Sequence, residues 1–191
     1  MVSRRGFIAG VAALSVAPRA HADEKAAWER LRAGGLVVLM RHASTEPGLG
    51  DPKGFQIGDC ATQRNLSDPG REEARRIGAR FRAERVSVAK VFTSPWCRCR
   101  ETAMLAFGRA EDWTPLSSFF DFPHQEREFA ERVKKRIGGY AQRNPGGNVV
   151  MVTHNVNIAA LSRESVAPGE MVVMRPDGCC DARMVERLKV G

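Results

Sequence analysis

The sequence predicts a three-layer α/β/α domain with a mostly parallel central sheet. Residues 36–40 and 148–153 are apolar runs with the length and composition of buried strands, and residues 90–94 form a third short strand between them. Segments with helical periodicity separate these strands. Because strands alternate with helices without an internal repeat or a linker, we expect one α/β domain.

The elements of the first half follow in order from periodicity and capping signals. Residues 23–32 are predicted to form an opening helix, because apolar residues three apart share one face. Residues 45–62 are rich in Gly, Pro and Asp without a period, which is typical of a loop that borders a site. A helix follows over residues 69–85, and its apolar face comprises Ala74, Ile77 and Phe81.

The second half continues the alternation of strands and helices. Pro95 is expected to open the helix that follows the strand at 90–94. The elements predicted from there are a helix to residue 107, a strand over 113–120, a helix over 126–141, the strand over 148–153, a helix over 155–162, and strands over 170–174 and 183–189.

Residues 1–22 differ in composition from the rest and are predicted to be a removed signal peptide, which leaves residues 23–191 as the domain. Arg4 and Arg5 open a sequence close to the twin-arginine consensus, and a short run rich in Ala and Gly follows. Residues 20–22, Ala-His-Ala, have the small-x-small pattern of a signal-peptidase site. We therefore expect export by the twin-arginine machinery to the periplasm, with the general secretory route as the alternative.

Charge and hydropathy exclude two classes of partner. The 191 residues carry a net charge of +8, which falls to +5 without the three arginines of the leader. No basic stripe is interleaved with aromatic residues, so a nucleic-acid interface is not expected. No segment approaches about 18 uninterrupted apolar residues, so stable membrane insertion is not expected either.

Two strand ends carry residues suited to phosphate chemistry. Arg41 and His42 follow the first apolar run, and His154 follows the run at 148–153. A neutral imidazole is a good nucleophile toward phosphorus, and a guanidinium can hold two phosphate oxygens. A third strand end continues as Ser94-Pro95-x-x-Arg98, which adds another arginine at a helix start.

These three ordered motifs resemble the histidine phosphatase superfamily, also called the phosphoglycerate mutase-like fold. The resemblance covers about residues 34–173. In that family an Arg-His-Gly strand end, a Ser-Pro-x-x-Arg segment and a late strand ending in histidine form the site. The sequence departs from the pattern at Ala43, which stands where the family has glycine.

The resemblance implies that His42 is the nucleophile and that Arg41, Arg98 and His154 stabilise the charge on the phosphoryl oxygens. A phosphohistidine would form and water would hydrolyse it, without a metal or another cofactor. Arg64 and Asn155 are candidates for further substrate binding. Arg100, two residues after Arg98, is expected at the surface.

The acid that protonates the leaving oxygen is less clearly marked. Many family members place a glutamate after the strand that follows the second-arginine helix. In the corresponding region the first candidate is Asp121, and Glu126 and His124 are alternatives. A protein donor is dispensable where the leaving group is good, as in phosphohistidine protein phosphatases.

Five cysteines form no CxxC pair and no zinc-ligand spacing, so no metal site is expected: Cys60, Cys97, Cys99, Cys179 and Cys180. An oxidising periplasm allows one or two disulfides. Residues two apart on a helix face different ways, so only one of Cys97 and Cys99 could pair with Cys60.

The sequence thus predicts a periplasmic phosphatase that hydrolyses phosphomonoesters. A phosphorylated sugar, a small metabolite and a phosphoprotein all fit as substrates, whereas a mutase is disfavoured because phosphoglycerates are cytoplasmic. The alternative is a protein that binds phosphorylated ligands without turnover.

Overall fold

A six-stranded mixed sheet lies between two layers of helices in the computed structural model, which describes residues 19–143, 146–178 and 182–190. The strands are β1 (Val37–Arg41), β2 (Val88–Thr93), β3 (Glu111–Asp112), β4 (Asn148–Thr153), β5 (Met171–Pro176) and β6 (Ala182–Leu188). The helices are α1 (Arg19–Ala33), α2 (Asp68–Ala83), α3 (Cys97–Phe107), α4 (Glu126–Arg143) and α5 (Asn155–Ser162).

The strand order is β3-β2-β4-β1-β5-β6, and the first four strands are parallel to one another. β5 runs antiparallel to β1, and β6 runs antiparallel to β5. The predicted three-layer fold with a mostly parallel sheet is therefore confirmed.

The inner strands are apolar on both faces because each face is covered by helices. Val38 and Met40 of β1 belong to the core beneath α1, α2 and α3, whereas Val37 and Leu39 belong to the core beneath α4 and α5. All four are fully buried. This two-sided burial accounts for the continuous apolar run that precedes Arg41.

The register of β1 on β4 sets the two predicted site histidines side by side. Arg41 pairs with Thr153, and the His42 backbone amide donates to the Thr153 carbonyl at 3.0 Å. Asn148 fixes this register at the other end, because its side chain accepts from the Leu36 amide and donates to the Leu31 and Ser87 carbonyls. The next residue after each strand is therefore a histidine.

Helix α2 packs closely against the chain that leaves β1. Ser67 caps the helix by accepting from the Gly70 amide, and its own amide donates to the Ser44 carbonyl at 3.1 Å. A Cβ on Gly70 would lie 1.8 Å from that carbonyl oxygen, so only glycine fits there. Ala43 packs in a small cluster with Leu66 and Ala74, and this cluster accommodates the methyl group that the family pattern lacks.

Most predicted elements are confirmed with small shifts at their ends, but the strand predicted over residues 113–120 is wrong. The edge strand is instead the short β3, and Thr114–Leu116 form a 3₁₀ helix. Pro115 lacks the amide that a ladder needs and suits the first turn of a helix. Leu116 is buried beneath the sheet, and its carbonyl accepts from the Thr153 hydroxyl.

The predicted leader is only partly covered by the structure. Residues 1–18 lie outside the described residues, and α1 begins at Arg19, before the predicted boundary at residue 22. The signal peptide therefore stays a prediction. Among the described helices, none is both long enough and apolar enough to span a bilayer.

Candidate active site

The carboxyl ends of β1, β2 and β4 meet at one edge of the sheet, where parallel α/β sheets bind ligands. A cavity of about 190 Å³ opens there. All seven predicted catalytic and substrate-binding residues line it: Arg41, His42, Arg64, Arg98, Asp121, His154 and Asn155. The structure thus brings together every residue of the predicted site, while their roles stay predictions.

His42 lies at the base of the cavity with one ring nitrogen already engaged. Its Nδ1 lies 2.9 Å from the Ala43 carbonyl oxygen, which can only accept, so Nδ1 carries the proton. Nε2 is then the nitrogen with the lone pair. Burial and the nearby Arg98 charge lower the pKa of His42 to about 3, so the ring is neutral at ordinary pH.

His154 faces His42, with 5.4 Å between the ring centroids. Its Nε2 lies 2.9 Å from the Ser94 hydroxyl and 3.5 Å from the Cys99 sulfur. Burial, followed by the neighbouring His42 and Arg98, lowers the pKa of His154 well below its ordinary value. Both histidines are therefore neutral, and Ser94 holds the second one in place.

Arg98 forms a bidentate ion pair with Asp51. The Nη1–Oδ1 distance is 2.7 Å and the Nη2–Oδ2 distance is 3.1 Å, and the two side chains are 4% and 2% exposed. Asp51 also accepts from the Arg64 backbone amide and from the Trp96 indole. Burial raises the pKa of Asp51, but the hydrogen bonds from Arg98 and Arg64 outweigh it, so the pKa is lowered and the carboxylate is ionised.

Two further arginines complete the base of the cavity. Arg41 donates to the Val166 carbonyl at 2.6 Å, and Arg64 donates to the Thr45 hydroxyl at 2.7 Å. Burial lowers the pKa of both guanidinium groups. The charge of Arg64 lowers the pKa of Arg41 further, and the charge of Arg98 lowers the pKa of Arg64 further. Each group is held by uncharged acceptors at one end and faces the cavity.

Each of the three arginines has one unpaired hydrogen-bond donor. Within the described part of the chain, the buried Nε atoms of Arg41, Arg64 and Arg98 have no hydrogen-bond partner. Buried donors are nearly always paired, so these three unpaired N–H groups, all on residues that line one cavity, are potential donors to an anionic ligand. Three guanidinium groups against the two carboxylates that line the cavity, Asp51 and Asp121, leave the described site with a net positive charge. The arrangement suits a tetrahedral oxyanion.

Sequence reasoning missed Asp51 and Trp96. The loop over residues 45–62 was expected to border a site, but its composition does not distinguish Asp51 from the other acidic residues there. Only the approach of the loop to the start of α3 brings this carboxylate to Arg98.

A disulfide joins the same loop to the start of α3. Cys60 forms a disulfide with Cys97, and the Cys97 amide donates to the Gln63 side chain at 3.0 Å.

The disulfide settles which cysteine of α3 pairs with Cys60. Cys97 faces the loop, whereas Cys99 is a free, buried thiol beside His154, and burial raises its pKa to about 12. Cys99 is therefore protonated and unreactive as a nucleophile. Cys179 and Cys180 lie outside the described residues.

The structure also shows the contacts of Arg100, on α3, and of the two asparagines at the start of α5. Arg100 is exposed and pairs with Asp112, as expected of a surface residue. Asn155 lines the cavity, but its side-chain amide bonds the loop that contains Val166, whose carbonyl accepts from Arg41. The Asn155 side chain donates to the Ser165 hydroxyl and accepts from the Val166 amide. Asn157 is buried away from the cavity and donates to the Ser117 carbonyl.

Only one of the three candidate acids lies at the site. Asp121 is exposed at the mouth of the cavity. His124 and Glu126 line a different groove, together with Arg127 and Lys134. Position therefore favours Asp121 over both alternatives. In the described ranges, no three His, Cys, Asp or Glu side chains are arranged to hold a metal ion.

The sequence and the fold were compared with known proteins. Residues 37–119 match the model of the histidine phosphatase superfamily (branch 1). None of the curated proteins is a significant match to the chain.

Three solved structures illustrate the similarity of fold. The protein histidine phosphatase SixA complexed with tungstate has a TM-score of 0.58 at 16% identity, covering 81% of this chain and 96% of that one. Phosphoserine phosphatase from Entamoeba histolytica in complex with 3-phosphoglyceric acid has a TM-score of 0.57 at 12% identity, covering 81% and 96%. A mycobacterial glucosyl-3-phosphoglycerate phosphatase with inorganic phosphate has a TM-score of 0.52 at 15% identity, covering 82% and 97%.

The two arginine pairs of α3 give a matched test of the buried ion pair. Replacing Asp51 with Ala leaves Arg98 buried without a partner and should lower the free energy of unfolding by about 3–5 kcal/mol. Asp112→Ala removes the partner of the exposed Arg100 and should cost less than about 1 kcal/mol. Urea unfolding of both variants measures the difference, and equal losses would contradict the importance given to the Asp51–Arg98 pair.

Proposed function

We propose that this protein, which carries the fold and the family match of the histidine phosphatase superfamily, is a phosphatase that hydrolyses phosphomonoesters through a phosphohistidine on His42. One observation carries the proposal. The neutral His42, whose Nδ1 is engaged by the Ala43 carbonyl so that Nε2 keeps the lone pair, lines one cavity together with three arginines whose Nε donors lack a partner among the described residues. A phosphoryl group supplies both the electrophile for that nitrogen and the oxygens for those donors.

The first step transfers the phosphoryl group to the histidine. His42 Nε2 attacks phosphorus in line, the N–P bond forms, and the bond from phosphorus to the ester oxygen breaks. The Ala43 carbonyl, which accepts from Nδ1, stabilises the positive charge that develops on the ring. Since burial keeps His42 neutral, its lone pair is available throughout the ordinary pH range.

The arginines stabilise the negative charge on the three equatorial oxygens of the phosphoryl group. Asp51 accepts from Nη1 and Nη2 of Arg98, and Nη1 also donates to the Arg64 carbonyl, which leaves the Nε hydrogen and one Nη2 hydrogen for the phosphoryl group. Arg41 and Arg64 line the same cavity, and each has an unpaired Nε donor. In the second step water attacks phosphorus and gives a proton to the Asp121 carboxylate that donated in the first step. The N–P bond breaks, and its electron pair returns to His42 Nε2, which restores the neutral ring. No residue in this sequence of steps needs a metal.

Labelling of the nucleophile tests the proposal. His42→Ala should lower kcat for a phosphomonoester at least about 10³-fold, because the other residues cannot form the covalent intermediate. Rapid quenching of the wild type with labelled substrate, followed by mass spectrometry, should locate the phosphoryl group on His42. His124→Ala, in the separate groove, is the control and should retain activity.

Two results would count against the proposal. Label on any other residue would rule out the assigned nucleophile, and a strict requirement for a divalent metal would rule out the phosphohistidine route. Phosphate binding by the wild type without turnover or label would instead support the non-hydrolytic binder of phosphorylated ligands.

Asp121 is the proposed donor of the proton to the leaving oxygen. An alkyl phosphate releases a basic alkoxide, and general-acid catalysis of that release is worth about 10²- to 10⁴-fold. Asp121→Asn should therefore slow hydrolysis of an alkyl phosphate by that factor and barely affect an activated aryl phosphate. Steady-state kinetics on both esters measures the ratio, with Glu126→Gln as the control. An equal loss on both esters would assign Asp121 to binding or folding.

Periplasmic export through the twin-arginine machinery is part of the proposal. It is supported by Arg4 and Arg5 in the leader sequence and by the Cys60–Cys97 disulfide, which an oxidising compartment favours. Replacing both arginines with lysine should retain the protein in the cytoplasm, because the twin-arginine receptor reads the pair itself. Cell fractionation measures this, and normal export of the Lys-Lys variant would refute the route.

A further inference from the structure

The mouth of the cavity carries large apolar side chains that the proposed chemistry does not use. Leu49 is 87% exposed and Phe120 is 50% exposed, and both line the cavity. Phe122, two residues further on, is also exposed. Single exposed apolar residues are ordinary, but a group of them around a site usually marks a binding surface.

Apolar groups from three segments of the chain line the wall of the cavity. A Cβ placed on Gly50 would lie 3.7 Å from Phe120 Cε1, so the Phe120 ring lies against the backbone beside Leu49. Val156, in the first turn of α5, also lines the cavity. The loop after β1, the segment before α4 and the start of α5 thus each contribute to this wall, which we call the apolar rim (Leu49, Gly50, Phe120 and Val156).

Charge is distributed unevenly over the depth of the cavity. Arg41, Arg64 and Arg98 line the cavity with the buried histidines and Asp51, whereas among the described residues the exposed part of the lining carries one further charged side chain, Asp121. A phosphoryl group is therefore attracted to the base, and a second anionic group on the same molecule would meet a carboxylate and apolar carbon. The mouth favours an uncharged substituent.

The cavity is also larger than a phosphoryl group requires. Its volume of 190 Å³ would hold about a dozen water molecules. A phosphoryl group with its ester oxygen has four oxygens and therefore fills only part of that volume. The apolar rim lines part of the remaining space. It is therefore available to the first carbons of the alcohol that carries the phosphate.

We infer that the substrates are phosphomonoesters of uncharged, apolar alcohols, whose hydrocarbon part binds the apolar rim while the phosphoryl group binds the arginines. This inference rests on the proposed phosphatase activity at the same site. It names the substrate class and excludes phosphoglycerates and other esters that carry a second negative charge.

A series of alkyl phosphates tests the substrate class. Each methylene that the rim buries should raise kcat/KM about three- to fourfold, so hexyl phosphate should exceed ethyl phosphate on the order of 10²-fold. 3-Phosphoglycerate should be a poorer substrate than ethyl phosphate. Phe120→Ser should lower kcat/KM for hexyl phosphate at least about tenfold more than for ethyl phosphate. Met104→Ser, an equally exposed apolar residue of α3 outside the cavity, is the matched control and should leave the series unchanged.

Calorimetry with alkylphosphonates, which cannot be hydrolysed, separates the two proposals. Tighter binding with chain length, together with turnover, supports both. The same trend in binding without turnover of any ester supports the apolar rim and removes the phosphatase. Hydrolysis without dependence on chain length, or a phosphoserine peptide preferred over hexyl phosphate, overturns the inference and leaves the phosphatase standing.

Discussion

The arrangement of the site depends on the buried ion pair between Asp51 and Arg98. A carboxylate in this position is stabilised only while its hydrogen bonds are complete, and it collects them from Arg98, the Arg64 amide and the Trp96 indole. The same contacts draw the loop after β1 over the start of α3. The loop in turn brings Arg64 and Leu49 to the cavity, so one carboxylate organises both the base and the mouth.

This ion pair also affects the balance of charge around His42, the proposed nucleophile. With three guanidinium groups and no carboxylate, an empty cavity would be strongly positive and costly to bury. Asp51 offsets one charge and leaves a surplus that a phosphoryl dianion can neutralise. His42 and His154 remain neutral beside that surplus, because burial and the arginines both disfavour their protonated forms. The neutral state of both rings thus follows mainly from their burial, and the positive charge of the arginines reinforces it.

The sequence predicted best what depends on single strands and short motifs. The buried runs that end in Arg41-His42 and His154 marked two strand ends, and parallel pairing alone brings such ends together. The strand predicted over 113–120 failed because Pro115 and the buried Leu116 turn the chain into a 3₁₀ helix. Asp51 and Phe120 could not be predicted, since their positions depend on how separate loops pack in space, and no local pattern records that packing.

The strand that precedes His42, the proposed nucleophile, is bonded on both sides, to β4 and to β5, whereas the residues of the apolar rim lie on loops and at a helix start. The residues proposed for catalysis and the residues proposed for substrate preference thus lie in parts of the molecule that differ in how well they tolerate substitution. Substitutions at Leu49 or Phe120 alter no strand pairing and little of the core. Related proteins could therefore diverge in the alcohols they accept while the phosphoryl-transfer apparatus stays fixed, and selection could adjust one without rebuilding the other.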